Sequence, residues 1–234
     1  MLFRIGLNKI FTLTAILMTT GCSKDNSSPS LEDGKSTIIY DLAGDTKASV
    51  ANGIDGKEQR PFYTFLYNLE QKKQIWIRSK EDSLRWFKTK EWDLAFTGNY
   101  NGDIQLNNKK YKDTPGYEGI VDNTAIILLN QNYESVNIAP SEREFDQSNI
   151  STIGWAKSSD SPGWYSYDLS THIMKAYPKR TYALRLSNGK YAKLQILSAY
   201  KGNPPAVSDL YWPAPYFTFK YFIQQDGSRN LSTQ

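Results

Sequence analysis

The stretch RTYALRLSNGKYAKLQIL, residues 180–197, decides the fold. Asn188-Gly189 is a pair that tolerates positive φ, and it sits between two runs rich in β-branched, aromatic and aliphatic residues. A tight type I′ turn between antiparallel strands is the expectation for such a pair. In the second run Ala192, Leu194 and Ile196 fall on one face and Lys193 and Gln195 on the other, the period of two that a strand requires.

Outward from this hairpin the same grammar repeats. STIIYDL, PFYTFLYNL, QIWIR, WDLAFTG, DIQLNN, TAIILLN, WYSYDL and YFTFKYFI are short, rich in β formers, and separated by polar or glycine-containing turns. Aromatic residues make up 14% of the chain, with Tyr 16 and Trp 6, and the mean hydropathy is below zero. This is the composition of an all-β globular protein, and 234 residues suit one sizeable core. Helix is scarce: KEDSLRWFKTKEW, residues 80–92, reads either as a turn or two of helix with Leu84, Phe87 and Trp86 as its inward side chains, or as a strand, which its two aromatics suit as well. Trp92 and Trp164 lie in strand-like runs and are expected in the core. Trp155 and Trp212 lie in loop-like segments and are candidates for a ligand platform.

The first residues read as a processing signal. Arg4 and Lys9 precede a short apolar run, Ile10 to Met18, which small residues connect to Cys22. That run is too short for a membrane span. Gly21-Cys22 resembles a bacterial lipobox, with Thr19 where leucine is preferred, so Cys22 is the expected lipidation site and residues 1–21 the signal peptide. Residues 22–35 are polar and without periodicity, and read as a flexible tether. The domain is then expected over 36–234. "CSKD" partly matches the surface-export signal of Bacteroidota lipoproteins, which points to an outer-membrane lipoprotein at the cell surface, held to the membrane through the lipid anchor alone.

Charge and motifs narrow the function classes. The formal +4 falls to +2 once Arg4 and Lys9 are removed. Basic and acidic residues are mixed along the chain, so nucleic acid is set aside as a partner. No G-x-S-x-G elbow precedes the lone His172, and Cys/His pairs and phosphate-binding glycine patterns are absent from the sequence. Acid pairs such as Glu142/Glu144 and Asp160/Asp168 read as solvated loop carboxylates. The expectation is a binding protein and not an enzyme.

The ordered set WDLAFTG (92–98), GWYSYD (163–168), RTYALRLSNGKYAKLQI (180–196) and YFTFKYF (216–222) resembles the HmuY family. These are surface lipoproteins of Bacteroidota whose founding member binds haem. The resemblance spans about Ser36 to Phe222. It implies an antiparallel fold with finger-like and thumb-like loops around a ligand cleft, haem or a related tetrapyrrole as ligand, a role in iron acquisition, and an outer-membrane receptor or transporter as a further partner.

The resemblance also implies two axial ligands. The first falls in LLNQNYESVN (128–137), which holds neither His nor Met, leaving Tyr133 as the donor there. The second falls in YDLSTHIM (167–174), near Asp168 or Leu169, with His172 and Met174 close by. On a regular strand residues i and i+2 share one face, whereas axial ligands approach iron from opposite faces, so His172 and Met174 do not make a bis-axial pair as neighbours. Both also read as packed structural residues. The alternative to tetrapyrrole capture is an adhesion or glycan- or protein-binding module of the same fold.

Overall fold

The computed structural model describes residues 30–51 and 56–234. The expected signal peptide 1–21, the expected lipidation site Cys22 and the expected tether up to residue 29 lie outside the described residues. A compact unit runs from Leu31 to Gln234.

Two five-stranded sheets form the body. The first is ordered β1-β14-β13-β12-β8, with β1 Thr37–Ala43, β8 Ala125–Leu129, β12 Thr181–Arg185, β13 Tyr191–Ser198 and β14 Tyr216–Ile223. The second is ordered β5-β4-β6-β7-β9, with β4 Thr64–Asn68, β5 Lys73–Ile77, β6 Leu94–Thr97, β7 Asp103–Leu106 and β9 Thr152–Ile153. Neighbours within both sheets are antiparallel. The fold is all-β, as its sequence pattern requires. A short parallel pair, β2 (Ala48–Ser49) with β3 (Glu58–Gln59), and a two-stranded hairpin, β10 (Tyr165–Tyr167) with β11 (Met174–Ala176), stand outside the two sheets.

The alternation of side chains explains how the sheets pack. Phe65 and Tyr67 of β4 and Leu94 and Phe96 of β6 face Leu184, Leu194, Phe217 and Phe219 of the first sheet in one core. Phe96 meets Phe217 edge-on at 4.9 Å between centroids, and Tyr67 meets Phe219 at 5.5 Å. The intervening residues point the other way and are buried too. Leu66 and Ala95 join Ile75, Ile77 and Trp92 on the outer face of the second sheet, under the half-buried Trp86 and Phe87. Ala183 and Tyr191 join Val136, Phe145 and Leu231 on the outer face of the first. Each sheet is therefore covered on both faces, and near-continuous apolar strands such as Thr181–Arg185, buried throughout, are the result.

Two expectations are corrected. The 180–197 hairpin forms, with Tyr182 opposite Leu194 and Arg185 opposite Tyr191, but its turn is not type I′. Gly189 has φ +81° while Asn188 stays at negative φ, and Leu186 N donates to Lys190 O at 2.9 Å as Gly189 N donates to Leu186 O at 3.0 Å. This is a three-residue loop ending in a left-handed glycine, which needs positive φ at one position instead of two. The second correction concerns the helix α1, Lys80–Trp86, opened by a Ser79/Asp82 capping box. Leu84 projects outward at 76% exposure, and Trp86 and Phe87 alone turn to the core.

Candidate functional site

The β10-β11 hairpin carries His172. Tyr165, Ser166 and Tyr167 pair with Ala176, Lys175 and Met174. The connecting turn is organised by Asp168, whose carboxylate accepts from Ser170 N at 2.7 Å, Thr171 N at 3.0 Å and the Ser170 hydroxyl at 2.6 Å. Those donors hold the Asp168 carboxyl down to about 2. The turn closes when His172 N donates to Asp168 O at 2.8 Å, with His172 in the left-handed region at φ +59°. Histidine is among the non-glycine residues that visit this region. Its imidazole is exposed, and Nδ1 lies 2.9 Å from the Tyr167 hydroxyl.

A row of aromatic rings extends from that contact. Tyr167 sits 6.0 Å from the His172 ring and 5.7 Å from Trp155, which it meets edge-on; Trp155 is 40% exposed. Leu169, in the turn, is 70% exposed. On the other side of β11 lies an open cavity of about 400 Å³ lined by Trp164, Met174, Lys175, Tyr200, Pro205 and Val207. Its size falls in the range of small-molecule sites, and other concavities among the described residues are of similar volume.

The hairpin is attached to the body at defined points. Met174 N donates to the Tyr200 hydroxyl at 2.9 Å, and Trp164, buried, donates Nε1 to Gly102 O at 2.7 Å. Tyr177 N donates to Trp164 O at 3.0 Å, and the Arg180 guanidinium lies over the Tyr177 ring at 3.9 Å. Burial raises the phenol pKa of Tyr100, Tyr165, Tyr167 and Tyr200, so these hydroxyls stay protonated around the hairpin.

The structure separates the three candidate ligands. His172 faces solvent in a turn, so the regular-strand geometry expected for it and Met174 does not apply. Met174 is buried in the core between the sheets, at the wall of the cavity. Tyr133 is the clear correction. It is fully buried in a single 3₁₀ turn, Tyr133–Ser135, on the outer face of the first sheet, its hydroxyl 2.8 Å from Ser36 Oγ. Lys193 Nζ and Lys220 Nζ lie 4.3 and 4.8 Å from its ring centroid. Burial pushes its phenol well above the ordinary tyrosine value, and the first sheet stands between it and Met174. It supplies no donor opposite His172. Tyr167 is the partner that sequence reading passed over; its one signal is the YSYDLSTH spacing, which becomes a contact only when the Asp168 turn folds.

No family model and no curated protein matches the chain. Among solved structures it is similar to a Bacteroides vulgatus protein proposed to be HmuY-like and heme-binding, at 11% identity and a TM-score of 0.38, over 80% of this chain and 91% of the other. It is also similar to an apo HmuY analog of Tannerella forsythia, at 12% identity and a TM-score of 0.38, over 82% of this chain and 96% of the other. A proposed lipoprotein of Bacteroides fragilis matches at 12% identity and a TM-score of 0.32, over 68% and 82% of the two chains.

Proposed function

We propose that this chain binds a tetrapyrrole, haem foremost, at the β10-β11 hairpin, as a HmuY-like binding protein with no catalytic activity of its own. The observation that carries the proposal is the exposed His172 with its Nδ1 engaged by the Tyr167 hydroxyl. With Nδ1–H donated to the Tyr167 oxygen, Nε2 keeps its lone pair for a metal, the arrangement in which a second group fixes the tautomer of a ligating imidazole. Trp155, Tyr167 and Leu169 offer an apolar surface to a flat macrocycle. The residues present fit one axial nitrogen and not a bis-axial iron, because Met174 and Tyr133 are buried elsewhere.

That single-donor geometry also favours a second reading, a binding module of the same fold that stacks an iron-free macrocycle, a glycan or a peptide on the Trp155–Tyr167 row. In either case we place the protein at the outer membrane through lipidated Cys22, serving iron acquisition if haem is the ligand, with a transporter as the onward partner. The test is a haemin titration of residues 23–234, oxidised and reduced, following the Soret and Q bands of wild type and His172→Ala. A saturable one-to-one spectrum lost in His172→Ala is expected. A wild type without any saturable shift overturns iron ligation; quenching of protoporphyrin fluorescence by the same sample would then support the second reading.

A further inference from the structure

The charge of this chain is concentrated in one place. Residues 71–90 hold seven cations against two carboxylates, Glu81 and Asp82, whereas the whole chain carries a formal +4, so this segment accounts for the entire positive excess. Lys72 and Lys73 stand at the start of β5, Arg78 and Lys80 flank the helix cap, and Arg85, Lys88 and Lys90 follow along α1 and beyond it. All seven are exposed. Of these, among the described residues, only Lys88 has a carboxylate in ion-pair range, Glu118 at 3.9 Å. Asp82 is taken up by the backbone amides of Arg78 and Ser79 at 2.9 and 3.1 Å and feels the charge of Arg85 without forming an ion pair with it.

The Trp86 ring joins two of the cations on the outer face of the second sheet, with Lys73 Nζ at 5.6 Å and the Arg85 guanidinium at 4.8 Å, while Arg78 lies 4.9 Å from Trp76 at the opposite side of the β5 edge. Helix α1 buries none of its residues, and Leu84 projects from it into solvent. A short helix that displays an exposed leucine among clustered lysines and arginines has the makeup of an interfacial segment: the apolar group enters the headgroup layer while long basic side chains reach the phosphates.

We propose that the β5-α1 face docks on the anionic phosphate-bearing surface of a lipid bilayer and sets the orientation of the domain on its membrane. This stands apart from the tetrapyrrole reading, whose residues lie on other elements. The probe is vesicles of phosphatidylcholine alone or mixed with phosphatidylglycerol. The protein is the full chain carrying Cys22→Ser, so that every sample shares the same N-terminal segment and none is acylated. Preference for the mixed vesicles is expected, weakening as salt is raised. The triple variant Lys80→Glu/Arg85→Glu/Lys90→Glu is expected to lower that partition about a hundredfold, at about fivefold per basic residue. Its net-charge twin Lys110→Glu/Lys112→Glu/Lys201→Glu should keep most of it. The proposal is overturned if the wild type shows no salt-sensitive preference for mixed vesicles, or if the twin falls as far as the patch variant. Loss of soluble polyglutamate binding in the patch variant with vesicle binding intact also overturns it, and assigns the face to an acidic protein.

Discussion

Lys193 is fully buried, and its ammonium donates to Tyr133 O at 3.1 Å, Val136 O at 3.0 Å and Thr233 Oγ1 at 3.1 Å. Burial outweighs the attraction of Asp33 and Glu134, and Lys220 and Lys35 add repulsion, so its pKa is pushed down from 10.5 to about 8. Between these values the unfolded chain holds a proton that the folded chain has released, so folding stability rises with pH across that window. The contribution is fully present above 10.5 and is lost as pH falls through about 8. From pH 8 to pH 10 the two values give a gain of about 2 kcal/mol for this one group. Buried phenols such as Tyr182, whose pKa is raised, act in the opposite sense above their ordinary range. The quantity to measure is therefore the difference between wild type and Lys193→Met. Urea unfolding at constant ionic strength at pH 8, 9 and 10 gives it directly. Wild type should gain about 2 kcal/mol on the variant across this range; a difference that stays flat, or moves toward the variant, refutes the reasoning.

Other substitutions test other links. Asn101→Ala removes the acceptor of Asp45 N and the donor to Tyr63 O and Phe96 O at a buried position with φ +53°, so a loss of about 2–4 kcal/mol in unfolding free energy is expected. Gly163→Ala would drive a Cβ into the backbone of Ala156 and Gly154, which no side-chain movement relieves; a melt within a degree or two of wild type would contradict this packing. Leu84→Ala should leave stability within about 0.5 kcal/mol of wild type, because that side chain covers nothing. Tyr167→Phe should weaken haemin binding about tenfold or more while leaving the melting temperature near wild type, as expected for a group that orients a ligating imidazole.

The sheets were legible because alternation in sequence maps directly onto alternation in space. Trp92 and Trp164, read as core, are buried, and Trp155, read as a loop aromatic, is exposed. What alternation does not reveal is a second cover. Lys193 occupies a polar phase of β13, the ordinary signature of a solvent face, yet the Tyr133–Ser135 turn and Thr233 close over it. The same long-range closure buries Tyr133, which local sequence leaves free to be a ligand. Leu84 fails for the opposite reason: its spacing with Phe87 suggests one apolar stripe, but α1 is too short and too charged to turn all of it inward. At the site, His172 was visible as the lone histidine, while its partner Tyr167 and its left-handed backbone depend on three bonds to one Asp168 oxygen.

The β10-β11 hairpin pairs three residues with three and shares no ladder with either five-stranded sheet. Tyr165 and Met174 anchor its stem in the core between the sheets, whereas the exposed turn that carries His172 is held by a handful of bonds to Asp168, so the turn belongs to the low end of the molecule's range of local unfolding free energies. A ligand that requires His172 in place binds only the closed fraction, and its measured affinity is the intrinsic one scaled by that population. Substitutions at Tyr200 or Trp164, which clasp the hairpin from beneath, would thus alter affinity without touching the ligand, and bound ligand would slow amide exchange on β10 and β11 while leaving the sheets unchanged. On the proposed reading, capture would be coupled to closure of the Asp168 turn, and release would need only that turn to let go.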